Sequence, residues 1–436
     1  ELSPHTEGTA YLAVTGYKLN DFDPYIYKTT NHGRSWTRID NGLPEGAFVR
    51  VVREDPELKG LLYAGTEKGM FVSYDDGDNW QSLDLNLPAV PITDLRARPD
   101  GLAVATQGRA FWVLDDLWVL RQAAAASADQ AIHIYTPPAW EMGRPGDRAG
   151  DFEGKNPSAS VPLYYYLSDE QVEDTVLTIR IVDAGGRVVR TMSNQESEQD
   201  RCRIGNMDPR RPFEIKYPET EEGLNRWSWD MRTDQVRCID DTMLQGGYDG
   251  PSVAPGRYTA QITVGGATAT TEFDIVKDPR SFANDRQMDE WANTLGQVKE
   301  TLDELQLTLD RARKARTGIR ALMADHDDAD LYELGESAIA DIDAWEAQVT
   351  QLRHQTYEDE DAWATMLDGQ LRFLIRVIDG SGAPVTNGAK TRQADLFSEW
   401  QQRQLELDDI TENYIQPINR WASRMELGHV VSPGSR

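Results

Sequence analysis

Apolar and polar residues alternate through the middle of the chain with the two-residue period of a β-strand. The alternation is clearest over residues 161–167 and 177–181. Side chains of a strand point alternately to its two faces, so each segment is predicted to be a strand with one buried face. Turn-forming glycines such as Gly185 and Gly186 separate the predicted strands. Residues 157–280 are therefore predicted to form an all-β sandwich.

Trp227 and Trp229 lie in another alternating segment of the predicted sandwich. Their two-residue spacing places both side chains on the same face of the strand. We interpret that face as core, because large aromatic side chains are usually buried. The alternative interpretation is that one of the two stacks on a sugar.

After residue 281, apolar residues recur at intervals of three and four, which is the spacing of an amphipathic helix. The longest stripe of this kind runs from Met288 to Met323 and resembles a heptad seam. We predict a long helix here, with Asn284 or Asp285 as its N-cap.

Three further helices are predicted from the same pattern. They comprise a stripe over 338–352 that ends with Leu352, a stripe over 367–378, and a helix over 389–421 that Pro417 kinks near its end. Four amphipathic helices of this length predict an antiparallel four-helix bundle over 281–425. Residues 426–436 remain as a tail.

A basic cluster lies on the first predicted helix. Its members are Arg311, Arg313, Lys314, Arg316 and Arg320. In so acidic a chain we expect these side chains to pair internally with Asp and Glu. The alternative is a site for an anionic ligand.

The first 122 residues contain a repeat of 44 residues. Trp36 and Trp80 lie 44 positions apart, and so do Pro44 and Pro88. A third, degenerate copy follows, since residues 105–111 resemble residues 65–71. A period in the forties with several short strands in each unit is typical of β-propeller blades.

Each of the first two copies carries the pattern Ser/Thr-x-Asp-x-Gly-x-x-Trp, with Asn in place of Asp in the first. The matching positions are Thr29, Asn31, Gly33 and Trp36 in the first copy and Ser73, Asp75, Gly77 and Trp80 in the second. The short Asp or Asn side chain is expected to accept bonds from turn amides, and Gly to supply backbone freedom. The tryptophan is expected to pack the hairpin onto its sheet, so we interpret the motif as structural.

These motifs resemble the Asp box, and residues 1–122 resemble the BNR/Asp-box propellers of sialidases, xyloglucanases and the sortilin (Vps10) group. Longer segments resemble the last blades of exported bacterial proteins, often labelled glycosyl hydrolases, in which a sandwich domain and a helical tail follow the propeller. The short strands and turn signals of 157–280 indicate that this sandwich is immunoglobulin-like or fibronectin III-like. The chain is thus expected to be a multidomain β plus α protein.

Two and a half to three blades are too few, because a propeller closes with about four to eight. The remaining blades are expected from an N-terminal segment, from another chain, or from an assembly of copies. Residues 123–156 are rich in Ala, Pro and Gly and are predicted to be a linker.

The formal net charge of −28 argues against binding to nucleic acid or to an anionic membrane surface. No apolar run approaches the roughly 18 residues of a membrane helix. The chain begins with Glu1, which we interpret as a mature, trimmed or partial polypeptide. We expect an extracellular, periplasmic or cell-surface location.

The two cysteines, Cys202 and Cys238, both fall in the predicted sandwich. In an exported protein they are expected to form a disulfide, and the alternative is two separate buried thiols. No CxxC or HExxH motif is present, so no metal site and no cofactor are expected. Asp240 and Asp241 could hold calcium, but we interpret them as part of a solvated loop.

No catalytic motif marks a carboxylate pair, a nucleophile or a phosphate loop, so catalytic residues cannot be assigned. Arg50, Glu67 and Arg109 are the candidates for a ligand site at the propeller channel, where an Arg could hold a carboxylate. The alternative for Arg109 is a salt bridge that braces neighbouring blades.

Three functions are therefore compared. The first, which we favour, is a non-catalytic binding and assembly protein with a protein or glycan ligand. The second is a glycoside hydrolase whose catalytic carboxylates lie mostly in other blades. The third is a sortilin-like propeller that binds peptides. Fold alone does not choose among them.

Overall fold

A computed structural model describes residues 1–123, 130–143, 159–168, 175–206, 215–430 and 432–433. The chain divides into two compact units, Glu1–Gln130 and Ala131–Arg436. Antiparallel sheets make up the first unit, and sheets together with helices make up the second. The predicted combination of β and α structure is confirmed.

Besides a short 3-10 helix, Tyr17–Leu19, the first unit contains ten strands and one α-helix among its described residues. They are β1 (Ala10–Val14), β2 (Tyr25–Thr29), β3 (Thr37–Arg38), β4 (Val49–Glu54), β5 (Leu62–Thr66), β6 (Gly69–Ser73), β7 (Gln81–Ser82), β8 (Ile92–Ala97), β9 (Gly101–Thr106), β10 (Phe111–Asp115) and α1 (Trp118–Ala123). Neighbouring strands in the chain pair antiparallel in three sheets, β1-β2-β3, β4-β5-β6-β7 and β8-β9-β10. Each sheet thus follows one copy of the sequence repeat.

The second sheet is packed on both faces. One face shares an apolar cluster with the first sheet, and this cluster includes Ile26, Ala64 and Phe71. The other shares a cluster with the third sheet, in which Tyr63 meets Ile92. Every residue of β5 and β6 is buried as a result, which is why these strands show no alternation in the sequence.

Gly65 lies at a close approach between the second and third sheets. A Cβ atom at this position would lie 2.6 Å from Ile92 Cγ2 and 2.7 Å from Val51 Cγ1. The absence of a side chain therefore permits the two sheets to pack at this spacing.

The outer faces of the first and third sheets carry exposed apolar side chains. Leu12 and Val14 lie on β1, and Phe111 and Val113 lie on β10. In residues 1–123, β10 pairs only with β9, so its second edge has no strand partner there. An exposed edge with large apolar residues is a typical site of further strand or sheet contacts.

The second unit begins with two sheets that enclose one apolar core. The strands are β11 (Ile132–Ile134), β12 (Trp140–Glu141), β13 (Val161–Leu167), β14 (Leu177–Asp183), β15 (Val188–Ser193), β16 (Gly223–Trp229), β17 (Gly256–Val264) and β18 (Ala267–Val276). The sheet orders are β11-β13-β16 and β12-β18-β17-β14-β15. Trp227 and Trp229 are both buried between the sheets, as predicted.

The predicted linker, residues 123–156, contributes to these sheets. Its β11 pairs antiparallel with β13, and its β12 pairs parallel with β18. Residues 124–129 and 144–156 of the predicted linker lie outside the described residues. Two segments of the predicted linker, β11 and β12, are therefore strands of these sheets, where the sequence predicted an extended connector.

The helices of the second unit pack around a separate apolar core. They are α2 (Glu198–Gly205), α3 (Asp285–Asp325), α4 (Ala329–Val349), α5 (Leu367–Ser381), α6 (Asn387–Ile410) and α7 (Gln416–Arg424). The Met288–Met323 stripe is buried along α3, and Asn284 caps α3 in a capping box with Gln287. Both features agree with the sequence prediction.

Two details of the predicted helices are wrong. Leu352 is exposed, because α4 ends at Val349 and Thr350 takes an extended conformation. The fourth predicted helix is α6 and α7 joined by a π-helical turn, Thr411–Ile415, rather than one helix with a kink. Pro417 lacks the amide proton that a continuous α-helical ladder needs, which accounts for the wider turn beside it.

The loop after β16 belongs to the helical core rather than to the sandwich core. Val236, Cys238, Leu244 and Tyr248 are buried among the side chains of the helices. A disulfide joins Cys238 of this loop to Cys202 of α2. Of the two alternatives for the cysteines, the disulfide is thus the correct one. Among the described residues, no helix is long and apolar enough to cross a membrane.

Candidate functional site

The first repeat turn, residues 29–36, is held by its own polar side chains. Thr29 Oγ1 donates to Asn31 Oδ1 at 3.0 Å and accepts from the Gly33 amide at 3.0 Å. The Ser35 amide donates to Asn31 Oδ1 at 2.9 Å. Asn31 therefore satisfies turn amides as the sequence pattern predicts.

The second repeat turn, residues 73–80, reproduces these bonds. Ser73 Oγ donates to Asp75 Oδ1 at 2.8 Å and accepts from the Gly77 amide at 2.9 Å. The Asn79 amide donates to Asp75 Oδ1 at 2.8 Å. Side-chain and backbone bonds with Asn79 and Ser73 hold the pKa of Asp75 below its usual value, against the opposing effect of desolvation. The Asp75 carboxylate therefore acts as a hydrogen-bond acceptor within the turn.

Gly77 has a positive φ of 95° and faces the first sheet. A Cβ atom at Gly77 would lie 2.4 Å from Ile39 Cδ1. Both the backbone conformation and the close approach thus require glycine in the second turn.

The tryptophans of the two turns differ in their surroundings. Trp80 is 5% exposed and donates from Nε1 to the Ile39 carbonyl at 2.7 Å. Trp36 is 42% exposed. Trp36 is therefore only partly covered, because among the described residues no turn equivalent to that of Ile39 lies over it.

Asp76 joins the second turn to the first sheet. Its Oδ1 accepts from the Tyr11 hydroxyl at 2.6 Å and its Oδ2 pairs with Lys28 Nζ at 2.5 Å. Burial, followed by the bond to Asp76, raises the pKa of Tyr11 well above its usual value. Because Asp76 has a φ of 62°, the turn aims its side chain at the neighbouring sheet.

Arg50 and Glu67, two of the three predicted channel residues, form an ion pair. Arg50 Nε and Nη2 both donate to Glu67 Oε2, at 2.9 and 2.6 Å. Arg50 occupies the bulge in β4 beside the Val49–Thr66 pair, and Glu67 follows β5 directly. Both side chains are partly exposed, so the pair is accessible to solvent.

Aromatic side chains surround this pair. The Arg50 guanidinium lies 5.0 Å from the centre of the Phe48 ring, and Tyr17 stacks on Phe48 at 5.0 Å. Phe22 approaches the same ring at 6.3 Å. Tyr17 and Phe22 are partly exposed, whereas Phe48 is buried. The cluster of Tyr17, Phe22, Phe48, Arg50 and Glu67, here named the aromatic–arginine cluster, presents flat apolar surface beside charge.

Arg109, the third predicted channel residue, is exposed in the turn between β9 and β10. Its amide donates to Thr106 Oγ1 at 3.2 Å. Within residues 1–123 its side chain makes no ion pair, so the predicted salt-bridge brace is not found at this position. Arg53 acts as such a brace, donating to the Leu95 carbonyl at 2.8 Å and to Asp94 at 2.7 Å.

A buried ion pair that sequence reasoning missed holds α1 against the second sheet. Arg121 Nε lies 2.9 Å from Asp55 Oδ1, and Tyr63 donates to Asp55 Oδ2 at 2.9 Å. Desolvation, then the charge and the hydrogen bond of Asp55, raises the pKa of Tyr63. Sixty-six residues separate Arg121 from Asp55, and no local spacing could indicate the contact.

In the second unit, the basic cluster of α3 pairs internally, as predicted. Arg313 Nε lies 2.7 Å from Glu346 Oε1, and Arg316 Nη1 lies 2.5 Å from Glu346 Oε2. Arg316 also contacts Asp343, and Arg320 lies 3.9 Å from the same residue. This cluster is therefore part of the contact between α3 and α4.

The loop that the disulfide anchors is tied by polar bonds. Asn206 Nδ2 donates to the carbonyls of Ile239 and Thr242, at 2.6 and 3.0 Å. The Asp240 carbonyl accepts from Arg313 at 2.7 Å. Among the residues that the structure describes, Asp240 and Asp241 included, no group of three or more His, Cys, Asp or Glu side chains could hold a metal ion.

Comparisons with known proteins give only distant similarities. No protein-family profile matches the chain, and no curated sequence gives a significant match. Among solved structures, the extracellular domain of a B. thetaiotaomicron protein described as a one component system matches with a TM-score of 0.20 and 12% identity, over 63% of this chain and 36% of that chain. An ancestral GH74 enzyme matches with a TM-score of 0.20 and 12% identity, over 62% of this chain and 30% of that chain.

A second structure of the B. thetaiotaomicron extracellular domain, described as part of a hybrid two component system, gives a TM-score of 0.18 at 11% identity. It covers 58% of this chain and 29% of that chain. The chain therefore spans about a third of the length of the structures it matches. TM-scores this low do not establish a common fold.

Proposed function

We propose that the chain is a non-catalytic binding and assembly protein that works outside the cytoplasm, in the extracellular space, the periplasm or at the cell surface. The Cys202–Cys238 disulfide supports this location, because disulfides persist in oxidising compartments. The observation that carries the proposal is the uncovered repeat turn at Trp36, whose equivalent at Trp80 is a packed contact between sheets.

We assign residues 1–122 to the last blades of a BNR/Asp-box β-propeller. Three sequential antiparallel sheets that stack face to face, each following one copy of the repeat, support this assignment. We further assign 157–280, together with β11 and β12 of the predicted linker 123–156, to an Ig/FnIII-like sandwich, 281–425 to a four-helix bundle and 426–436 to a tail. Two sheets around one core, followed by helices around another, support the last assignments.

We propose that another repeat of the same kind covers the exposed side of the turn at Trp36. Trp80 donates to Ile39, which precedes it by 41 residues, and Gly42 packs against the Trp80 backbone. A repeat placed the same distance before Trp36 would bring a carbonyl to its indole and cover its ring. The repeat would come from an N-terminal propeller segment of the same polypeptide or from another chain.

The aromatic–arginine cluster is the proposed contact surface for a protein or glycan ligand. Tyr17 and Phe22 offer partly exposed rings, and Arg50 offers a guanidinium for an acidic group. Arg109 is proposed to belong to the same ligand-facing side of the sheets, because its turn between β9 and β10 corresponds in the repeat to the turn that carries Glu67. Glu67 is held by Arg50, which favours a role in binding over acid–base catalysis.

A tandem duplication tests the proposal. A copy of residues 1–44 fused before Glu1 places the copy of Ile39 41 residues ahead of Trp36. The matched control carries Gly42→Val in the added copy, because a Cβ at Gly42 would lie 2.3 Å from the Trp80 carbonyl oxygen in the equivalent contact. Fluorine NMR of 5-fluorotryptophan-labelled protein, assigned with Trp36→Phe, reports the solvent exposure of Trp36.

We expect the duplication to protect Trp36 from solvent and to raise the free energy of unfolding of the first unit, and the control to do neither. An equally exposed Trp36 in both proteins would overturn the proposed repeat contact. Native mass spectrometry of the unmodified chain is expected to show species heavier than 49.1 kDa. Turnover of xyloglucan or of sialylated glycans by the chain would overturn the non-catalytic assignment.

A further inference from the structure

A cavity of about 660 Å³ opens beside β15, the edge strand of the five-stranded sheet. Its walls come from β15, from α2, from residues 234–237 and from α3. The volume lies within the range of small-molecule sites, roughly 300–1,000 Å³. All of these elements belong to the second unit.

Arg190 on β15 is a buried cation in the wall of this cavity. Arg190 is 8% exposed, and its Nη1 donates to the Thr233 carbonyl at 3.1 Å. Its Nε is buried without an acceptor, and among the described residues Arg190 forms no ion pair. A buried guanidinium with one neutral acceptor is costly, because neither its charge nor its donors are compensated.

Arg203 on α2 lines the same cavity and is 9% exposed. One of its terminal nitrogens lies 2.7 Å from Asp200 Oδ1. Its Nε, like that of Arg190, is buried with no acceptor in the described structure. Two buried arginines with unused donors thus line one cavity.

The carboxylates of the cavity wall are already engaged by other groups. Asp200 Oδ2 accepts from the amide and the hydroxyl of Ser197 at 2.9 and 2.7 Å, while its Oδ1 accepts from Arg203. Asp234 Oδ1 accepts from the Thr191 amide at 2.8 Å. These bonds leave Arg190 without a carboxylate of its own.

The same holds for the wall that α3 provides. Asp303 accepts from Lys299 at 2.5 Å and from the Arg237 amide at 2.7 Å. Glu304 accepts from the Trp400 indole at 3.3 Å and from Gln404 at 3.2 Å. These carboxylates all accept hydrogen bonds, whereas the Nε donors of Arg190 and Arg203 have no acceptor among the described residues, so the unused hydrogen-bonding groups of this wall are guanidinium donors.

We propose that this cavity binds a small organic anion, whose carboxylate or phosphate group is held by Arg190 and Arg203. Guanidinium groups match the oxygens of both anions and form their strongest hydrogen bonds with them. Met192 and Leu307 supply apolar surface, and Gln195 and Gln235 supply polar groups for the rest of the molecule. The site is separate from the aromatic–arginine cluster and does not rest on the function proposed above.

The test measures binding of four probes to the full chain by isothermal titration calorimetry. Glucuronate carries a carboxylate, glucose 6-phosphate carries a phosphate, glucose is the neutral analogue, and inorganic phosphate is the anion alone. We expect glucuronate or glucose 6-phosphate to bind saturably and glucose not to bind. The sugar that binds identifies the anion as carboxylate or phosphate.

Arg190→Met is expected to weaken that binding at least about tenfold, since a charged hydrogen bond contributes roughly 1.5–3 kcal/mol. Arg187→Met is the matched control, because Arg187 lies on the same hairpin but is exposed and paired with Asp183. The control should bind as the unmodified chain does. Failure of both sugar anions to bind, or equal binding by Arg190→Met, would overturn the proposal.

Thermal unfolding without ligand separates a binding role from a structural one. Removing an uncompensated buried charge should leave the melting temperature of Arg190→Met unchanged or higher by a few degrees. A lower melting temperature would show that Arg190 braces the fold through Thr233 and would contradict the proposal. Arg190→Lys, which keeps the charge but not the planar fork, repeats the binding test if the Met variant does not fold.

Discussion

The indole nitrogen of Trp80 donates a 2.7 Å hydrogen bond to the main-chain carbonyl of Ile39, which lies in the preceding sheet repeat. The Trp80 amide also donates to the Asn41 carbonyl at 2.9 Å. One residue of the repeat motif thus contributes both a buried ring and two bonds to the contact between sheets. Because the tryptophan bonds to the preceding repeat, the motif has to recur at the same spacing as the repeats.

Trp80→Ala is expected to lower the free energy of unfolding of the first unit by about 3–5 kcal/mol, the usual cost of removing a buried Trp side chain. Trp36→Ala removes the same side chain from a position that is 42% exposed and should cost less than about 1 kcal/mol. Urea unfolding of the two variants under identical conditions measures the difference. Equal losses would contradict the distinction between the two turns.

Loss of the disulfide should destabilise the second unit. Closing a loop with a sequence separation of 36 residues contributes about 3–4 kcal/mol in the chain-entropy description. The double variant Cys202→Ala, Cys238→Ala should show this loss in the unfolding of Ala131–Arg436 and leave the transition of the first unit unchanged. Dithiothreitol should reproduce the loss in the unmodified chain and have no effect on the double variant.

Glu346→Gln is expected to destabilise the second unit by about 3–5 kcal/mol. Glu346 is 1% exposed and pairs with both Arg313 and Arg316, so its neutral analogue leaves two arginines without their shared carboxylate. Asp343→Asn is the matched control, because the Asp343 side chain is 48% exposed and its pair with Arg316 should contribute less than about 1 kcal/mol. Chemical unfolding of both variants provides the comparison.

Asp368 should make stability depend on pH between about 4 and 6. Burial raises the pKa of this carboxyl to about 6, against the opposing bonds from Thr350 and Gly369. In this interval the folded chain retains a proton that the unfolded chain has released, so the contribution of Asp368 to stability falls as the pH rises. The loss is complete above pH 6 and amounts to about 3 kcal/mol, at 1.36 kcal/mol per pKa unit.

The Asp368→Asn side chain cannot ionise. The stability of this variant relative to the unmodified chain should therefore increase as the pH rises over the same interval. The measurement is the difference in unfolding free energy between the two proteins at a series of pH values from 4 to 8. Asp395→Asn on the exposed face of α6 is the control and should show a constant difference. A constant difference for Asp368→Asn as well would show that the carboxyl is not buried in solution.

Some helices and strands were predictable because their apolar residues recur with the period of the element and all face the core. The apolar positions of α3 recur every three or four residues, and the structure buries them along one side. Apolar and polar residues alternate along β13 and β14 because only one face of each strand packs against the sandwich core. β5 and β6 have no period, since both faces are buried, and only the 44-residue repeat revealed their sheet.

The contacts of the candidate sites depend on pairings that spacing does not encode. Arg50 meets Glu67 because a bulge in β4 and the register of Val49 with Thr66 bring them together. The sequence showed that the arginines of α3 need acidic partners, but the packing of α4 selects Glu346. No pattern in the sequence indicated a site at Arg190, because its burial depends on residues 234–237 and helices that pack beside β15.

The disulfide also determines how the second unit would respond to mechanical force. The covalent loop from Cys202 to Cys238 contains the whole of β16, which pairs with β13 along the three-stranded sheet. Tension applied at the ends of the chain passes through the sulfur–sulfur bond, so the residues between the two cysteines are not extended. The extension of the fully stretched oxidised chain would be shorter by about 120 Å than that of the reduced chain, at roughly 3.3–3.6 Å per residue. The second unit therefore combines strands that force can extend with one, β16, that the disulfide keeps from being extended.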